Sequence, residues 1–243
     1  MIEIQNLNKN YRTQKVLSQV GLKIPNSCLF ALLGPNGSGK TTLLKSILGI
    51  VLPTPGGKIL LEGVSILGTK DYKDRTGYMS QAPKFPPHLK VCELMQLFAR
   101  LRQQKPVYQE SLLQDLNITP FWGKAIGELS GGMLQKVNIL QCFMFENALY
   151  ILDEPTSGLD PHTAFYLKQL LRKKKDQGHT LVFTSHIMSE VEELADLLAL
   201  LVEGKVYTVT SPKELKQQRN NRNLEEALHQ FWDSKKEYEK IST

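Results

Sequence analysis

The most constraining feature of this sequence is a glycine-rich turn that lies between an apolar run and a helical pattern. The turn, GPNGSGKT at residues 34–41, fits G-x-x-x-x-G-K-[ST]. It follows CLFALLG, a continuous apolar run typical of a central strand buried on both faces. It opens KTTLLKSILGI, whose apolar residues have helical spacing. This order of strand, turn and helix predicts a loop that wraps around phosphate groups.

The residue types in the turn match that task. Glycines at Gly34, Gly37 and Gly39 let the backbone wrap closely and direct N–H groups inward. Lys40 is expected to reach the β- and γ-phosphates, and the Thr41 hydroxyl is expected to bind Mg²⁺. The turn therefore predicts a nucleoside triphosphate such as ATP, together with Mg²⁺, as ligands.

Two acids end an apolar strand pattern further along the chain. The run ALYILDEP at residues 148–155 is apolar up to Asp153 and Glu154. Asp153 suits Mg²⁺ binding, directly or through water, and Glu154 is placed to orient and polarise an attacking water. General-base help of this kind is typically worth ~10²–10⁴ in rate. The alternative is that the two acids only cap the following turn.

Two further strand patterns end in polar residues, LVFTSH in His186 and TGYMSQ in Gln81. The carboxyl ends of parallel strands meet at one edge of an open sheet, where ligands bind. We therefore expect His186 to face the γ-phosphate and the Gln81 amide to bind Mg²⁺ and water, although a histidine at a strand end is otherwise a core residue. The predicted catalytic residues are Glu154, His186 and Gln81, and the predicted metal ligands are Thr41, Gln81 and Asp153.

A second glycine pair lies in GELSGGMLQK, at residues 127–136. Ser130 is at the natural N-cap of the amphipathic run that follows, and Gly131 and Gly132 leave N–H groups free for an anion. Because the first loop already surrounds its own phosphates, we infer that this turn closes over the nucleotide of a facing subunit. Tyr11, ahead of the first loop, either stacks on adenine or packs inside the protein.

Composition restricts the other function classes. The chain has 243 residues and a net charge of +6, but its basic clusters, RKKK at 172–175 and QQRNNR near the end, are short. We interpret both as solvated surface and expect no nucleic-acid partner. Three scattered cysteines, Cys28, Cys92 and Cys142, predict reduced thiols packed in the core of a cytosolic protein. No apolar stretch approaches the ~20 residues that cross a bilayer, and the N-terminus lacks a signal-peptide pattern.

Taken together, these motifs closely resemble the ATP-binding cassette family. GPNGSGKTT looks like its Walker A loop, LYILDE its Walker B strand, LSGGM its signature and SGLD, ending at Asp160, its D-loop. Gln81, His186 and Tyr11 resemble the Q-loop glutamine, the switch histidine and the A-loop aromatic residue. The resemblance covers about residues 1–210. The nucleotide-binding residues it implies are Tyr11, Gly34, Pro35, Asn36, Gly37, Ser38, Gly39, Lys40, Thr41, Thr42, Ser130, Gly131, Gly132 and Asp160.

The patterns and the resemblance together predict an α/β fold with a P-loop NTPase core. We expect a mainly parallel sheet, an N-terminal antiparallel β part and a helical lobe inserted at about 86–146. The nucleotide-binding domain is expected to span 1–210, and residues 211–243 are expected to form a short, polar, helical tail.

The resemblance further implies a head-to-tail homodimer that encloses two ATP molecules, and membrane-spanning permease subunits that dock at the helical lobe near Gln81. This places the chain peripherally at the cytoplasmic face of the inner membrane. The signature usually ends in Gln where this chain has Met133. We expect the dimer site to survive that change because Ser130 and the two glycines are intact.

Within the family, the single short cassette looks like an ATPase of the export-type or ABC-2 group. TGYMSQAPKFPPHLKV and FTSHIMSEVEELADLL resemble, more narrowly, the ATPase of the transporter linked to copper-site maturation of nitrous oxide reductase. A soluble cassette ATPase that acts on nucleic acid or the ribosome is the alternative, but such relatives usually carry two cassettes or a long coiled-coil insert. A nucleotide-binding regulator without hydrolysis is disfavoured because both Glu154 and His186 are present.

Overall fold

In this computed structural model, residues 1–69, 71–218, 223–228 and 230 are described. They form two sheets and seven main helices. The strands are β1 (Ile2–Tyr11), β2 (Gln14–Ile24), β3 (Leu29–Leu33), β4 (Lys58–Leu61), β5 (Val64–Ser65), β6 (Thr76–Met79), β7 (Leu149–Asp153), β8 (Thr180–Thr184), β9 (Leu197–Val202) and β10 (Lys205–Thr210). The helices are α1 (Lys40–Ile47), α2 (Val91–Arg102), α3 (Gln109–Asp115), α4 (Gly131–Phe143), α5 (Pro161–Asp176), α6 (Met188–Leu194) and α7 (Pro212–Gln218).

The larger sheet has six strands in the order β10-β9-β3-β8-β7-β6. All neighbours are parallel except β9 and β10, which form an antiparallel hairpin. Alternate residues of the central strands join two different hydrophobic clusters, so that Ala31 packs on one side and Phe30 and Leu32 on the other. Burial on both faces explains the continuous apolar run that precedes the glycine turn.

The smaller sheet has the order β2-β1-β4-β5 and is antiparallel throughout. Its apolar residues, with those of α1, form one of the two clusters against the larger sheet. The other cluster lies between the opposite face of the larger sheet and helices α2 to α6. The predicted α/β fold, with a mainly parallel sheet and an antiparallel N-terminal part, is confirmed. Helices α2, α3 and α4 lie between β6 and β7, where the inserted lobe was predicted, whereas the domain boundaries themselves remain predictions.

Two sequence interpretations are wrong. The RKKK cluster is not a uniformly solvated surface, because Lys174 is only 3% exposed and its ammonium lies 3.7 Å from the centroid of the Tyr108 ring. Within the same cluster, Arg172 and Lys175 pair with Glu193 and Asp196.

The tail after residue 210 is also less polar than expected. Its first part is helical, as predicted, but four of its described side chains are buried in the core cluster with helices α2 to α6: Leu215, Leu224, Ala227 and Leu228. Most of QQRNNR and of the final helical pattern lies outside the described residues.

Cys28 and Cys142 are buried, as predicted for core packing, whereas Cys92 is half-buried, and all three are free thiols. Burial raises the pKa of the Cys28 thiol to about 11. Over the described part of the chain, no helix combines the length and the apolar character that crossing a membrane requires.

Candidate active site

The glycine turn connects the end of β3 to the start of α1 and follows a path that only glycine permits. Gly34 has φ +154°, and a Cβ added there would lie 1.9 Å from the Leu201 carbonyl oxygen. Gly39, with φ +105°, is the N-cap of α1 and provides no capping side chain. The first N–H groups of α1 therefore remain available to an anion.

Two buried polar groups in this turn lack the partners that their chemistry favours. Lys40 is 8% exposed, and its ammonium donates to the carbonyl oxygens of Gly34 at 2.7 Å and Pro35 at 3.0 Å. Burial lowers the pKa of Lys40, against the opposing pull of Glu154 and Asp153. The Ser38 hydroxyl is buried with no hydrogen-bond partner among the described residues. A cationic amine and an orphaned hydroxyl in one loop fit a bound phosphate group.

Asp153 ends β7 and holds two hydroxyl groups. Thr41 donates to its Oδ2 at 3.1 Å, and Thr184 at the end of β8 donates to its Oδ1 at 2.7 Å. The Thr41 hydroxyl and the Asp153 carboxylate are oxygen donors of the kind that Mg²⁺ prefers. The sequence analysis did not identify Thr184. Its role becomes visible only from the parallel register of β7 and β8, which places Thr184 directly beside Asp153.

Glu154 brings the ends of three parallel strands together. Gln81, two residues beyond β6, donates through Nε2 to Glu154 Oε2 at 2.7 Å, and His186 Nε2 contacts the other carboxylate oxygen. The Glu154 backbone has φ 51°, a left-handed conformation that costs a non-glycine residue roughly 1–2 kcal/mol. Its N–H is held at 2.9 Å by the Thr184 hydroxyl, which helps to maintain this conformation. The predicted meeting of Gln81, Glu154 and His186 is present.

These groups open into one cleft of about 540 Å³. Its lining residues are Gln14, Val16, Asn36, Gly37, Gly39, Lys40, Thr41, Thr42, Gln81, Glu154 and His186. Gln14 and Val16, on β2, were not identified from the sequence, because nothing in their local pattern distinguishes a cleft wall from an exposed strand.

Tyr11 lies beside the cleft and does not line it. Its backbone pairs with that of Gln14, its side chain is 45% exposed, and the Lys9 ammonium is 5.0 Å from its ring centroid. Such exposure is unlike a core packing residue, so an adenine-stacking role remains the prediction for Tyr11.

The second glycine turn does not line this cleft. Ser130 caps α4, accepting a hydrogen bond from Met133 N at 3.3 Å, and a Cβ at Gly131 or Gly132 would meet no atom within 4 Å. The Met133 side chain is partly buried against the core. The turn therefore presents an open, capped helix start, and its nucleotide-binding role remains a prediction.

Asp160 also lies outside the cleft lining and caps a helix. It accepts from the N–H of Thr163 at 2.9 Å and from its hydroxyl at 2.6 Å, and these bonds hold the pKa of Asp160 below its ordinary value. This structural role accounts for the aspartate in SGLD, and its predicted contact with nucleotide stays a prediction.

Comparison with known proteins agrees with this geometry. A family model described as ABC transporter matches residues 17–157. An uncharacterized ABC transporter ATP-binding protein of Nostoc sp. is 39% identical over 230 residues, which cover 88% of this chain and 68% of that protein. Nod factor export ATP-binding protein I of Rhizobium etli is 30% identical over 220 residues, covering 88% of this chain and 69% of that protein.

A solved structure of the ATP binding subunit of an ABC transporter superposes on this chain with a TM-score of 0.87. The two are 28% identical, and the match covers 95% of this chain and 98% of the other. The chain therefore belongs to the ABC transporter family and is an ATPase of the kind whose hydrolysis of ATP is coupled to transport.

Proposed function

We propose that this chain is the ATP-hydrolysing subunit of a membrane exporter and acts as a homodimer bound peripherally to permease subunits at the cytoplasmic face of the membrane. The main support for this proposal is that side chains from separate strand ends converge in or beside one cleft. They are Lys40, Asp153, Glu154, Gln81 and His186. The similarity to a Nod factor export ATP-binding protein supports an exporter.

The residues divide the chemistry of hydrolysis between them. The Lys40 ammonium and the N–H groups of the turn bind and orient the phosphates. Thr41, Asp153 and Gln81 are the proposed Mg²⁺ ligands, and the ion, when bound, neutralises charge that develops on the phosphoryl oxygens. Glu154 accepts a proton from the attacking water. Gln81 and His186 position its carboxylate, and neither is a base in this scheme.

The two sites of the homodimer are proposed to be composite. Since Ser130, Gly131 and Gly132 do not line their own chain's cleft, a head-to-tail partner would bring them to the other chain's nucleotide. The Ser130 hydroxyl and the first N–H groups of α4 would then contact the γ-phosphate. Met133 replaces the usual glutamine without disturbing this cap, because its N–H already bonds Ser130.

The permease is proposed to dock on the helical segment between β6 and β7. This segment exposes large apolar side chains, with Leu101 on α2 70% exposed and Val107 just beyond it 64% exposed. Exposed apolar groups of this kind are typical of protein contact surfaces. The segment also adjoins Gln81, which would connect permease movement to the cleft.

Steady-state hydrolysis of ATP tests the catalytic part of this proposal. We expect wild-type activity that disappears with EDTA, and Glu154→Gln should bind ATP while hydrolysing it ~10²–10⁴-fold more slowly. Glu203→Gln is a matched control, because Glu203 is an exposed glutamate that shares the left-handed backbone conformation, with φ 47°. Wild-type turnover by Glu154→Gln would refute the role of Glu154.

Purification from native membranes tests the transport part. A permease that remains bound after solubilisation is the expected result, whereas recovery with ribosomes or nucleic acid would favour the soluble alternative. The narrower resemblance to the nitrous oxide reductase system stays a prediction. It requires that cells lacking this chain make nitrous oxide reductase without its copper.

A further inference from the structure

Three side-chain amides on α4 form an ordered chain of hydrogen bonds. Gln135, Asn138 and Gln141 are three residues apart, which places them side by side along the helix. Gln141 Nε2 donates to Asn138 Oδ1 at 3.2 Å, and Asn138 Nδ2 donates to Gln135 Oε1 at 3.2 Å. The bonds both run in one direction, from the C-terminal end of α4 towards its N-terminus.

Each of these amides also donates to the main chain next to it. Gln141 bonds the Tyr78 carbonyl at 2.6 Å, Asn138 the Ser80 carbonyl at 2.9 Å, and Gln135 the Gln81 carbonyl at 3.0 Å. We call Gln135, Asn138 and Gln141 the amide ladder. The amide nitrogens of Gln141 and Asn138 each donate two hydrogen bonds, and that of Gln135 donates one, to the Gln81 carbonyl.

The ladder lies along the free edge of the six-stranded sheet. Within the described part of the chain, β6 is the last strand in that sheet, and the carbonyls on its outer side have no strand partner there. Asn138 is 1% exposed, which makes its polar groups costly to bury without bonds. The ladder thus stabilises α4 against β6, and this alone would be a structural role.

The last bond of the ladder reaches the active site. Gln135 holds the carbonyl of Gln81, and the side chain of Gln81 donates to Glu154 at 2.7 Å. Gln135 lies five residues from Ser130, within the second turn of α4. The Gln135 amide therefore connects helix α4, which begins at the second glycine turn, to Gln81 and through it to Glu154.

We propose that Gln135 is a positioning residue for ATP hydrolysis, and that it sets the main chain at Gln81 so that the Gln81 amide reaches Glu154. Asn138 and Gln141 hold the Gln135 amide in the orientation that donates. A shift of the N-terminal end of α4 is then transmitted to the general base of the same chain. This inference rests on the proposed role of Glu154 and goes beyond it by assigning the link to α4.

A double-mutant cycle separates positioning from structural support. Gln135→Met keeps the length of the side chain and removes the amide, and we expect kcat to fall about two- to tenfold, the effect of one lost hydrogen bond, with little change in KM for ATP. In the Gln81→Ala background, which keeps the Gln81 carbonyl but has no amide to position, the same change should leave kcat within about twofold. Single-turnover hydrolysis of labelled ATP measures these slow rates.

Two further variants complete the test. In Gln135→Glu the side chain keeps its shape, but its carboxylate cannot donate a hydrogen bond. This variant should therefore lower kcat as Gln135→Met does. It decides the outcome if thermal unfolding shows that Gln135→Met does not fold. Gln104→Glu is the matched control, because Gln104 also donates its amide to a main-chain carbonyl, that of Asp74, away from the ladder. Its kcat should equal that of the wild type.

The outcomes distinguish this inference from the proposed function. An equal fall of kcat with and without the Gln81 side chain would show a structural role and overturn the positioning role. Unchanged kcat in both Gln135 variants, with an active wild type, would also overturn it. A wild-type chain that does not hydrolyse ATP would instead refute the proposed function.

Discussion

A single hydroxyl, that of Thr184, joins the two acids of the cleft. It donates to Asp153 Oδ1 and accepts from the N–H of Glu154, and its side chain is fully buried. Asp153 is thereby fixed as an acceptor towards Thr41, and Glu154 is held in its left-handed conformation. The position of Glu154, the proposed general base, therefore depends on a residue that has no proposed part in proton transfer.

We expect Thr184→Val to damage both stability and catalysis. Valine has the same shape but leaves a buried carboxylate oxygen and an N–H without a partner, which costs about 1–3 kcal/mol of unfolding free energy. Thr184→Ser keeps the hydroxyl and should keep most of kcat. Chemical denaturation and ATP hydrolysis measure the two effects. Equal kcat in Thr184→Val and the wild type would contradict the clamping role.

Tyr11→Ala tests the adenine-stacking prediction. Loss of stacking on a base should weaken ATP affinity by about 1–3 kcal/mol, and discrimination between ATP and GTP should fall with it. Because the side chain is 45% exposed, the unfolding free energy should change little. Equilibrium titration of the two nucleotides gives the answer, and an unchanged dissociation constant for ATP would end the stacking role.

The sequence predicted the residues that meet at Glu154 better than the residues that hold them in place. Gln81, Glu154 and His186 each follow a strand pattern, and parallel strands bring such ends to one edge. Thr184 is the last residue of β8, and a β-branched side chain is common in a strand, where it usually has only a packing role. Its role appears only when the register of β7 and β8 is known. Gln135 likewise has no local signal, because its partner is a main-chain carbonyl 54 residues away.

At the scale of elements, helix α5 shows why a charge run does not by itself identify a solvated surface. Residues 172–175 are consecutive, and successive side chains on a helix point about 100° apart. Four such residues face nearly all directions, so one of them faces inward. Lys174 is that residue, with its ammonium over the Tyr108 ring and its pKa lowered, mainly by burial. The strands and helices could be predicted because their apolar periodicity is a local property of the sequence. The contact between Lys174 and Tyr108 joins residues far apart in the sequence, so no local pattern predicts it.

Lys174→Met tests the cost of that buried charge. A lysine whose pKa is lowered by folding destabilises the protein at pH values below the lowered pKa, and this effect is relieved as pH rises towards the unfolded value of about 10.4. We expect Lys174→Met to be more stable than the wild type at pH 7, by roughly 1 kcal/mol, and the difference to narrow towards pH 10. Thermal unfolding across that range checks this.

Lys173→Met is the matched control for that change. Lys173 is an exposed neighbour on the same helix, so its replacement should alter the unfolding temperature little at any of these pH values. A Lys174→Met protein less stable than the wild type at pH 7 would show that the contact with Tyr108 outweighs the cost of burial.

At the scale of the whole molecule, the two glycine turns of one chain serve different surfaces. The first lines the cleft with Lys40, and the second, with Ser130, caps α4 outside that cleft. The sequence predicted both turns, since each combines glycines with a helix start. The inference that the second turn closes over the nucleotide of a facing subunit stays a prediction, because that contact would involve a partner chain.

Mixed dimers of differentially tagged subunits test this account most directly, using Lys40→Ala to disable the cleft and Ser130→Arg to disable the second turn. When one subunit carries both changes and its partner neither, action in trans puts one lesion in each composite site. When each subunit carries one change, both lesions meet in one site and the other site is intact. We therefore predict that the split pair retains ATP hydrolysis, provided that one intact site turns over alone, and that the pair with one doubly changed subunit loses it. More hydrolysis by the pair with the doubly changed subunit than by the split pair would contradict the account.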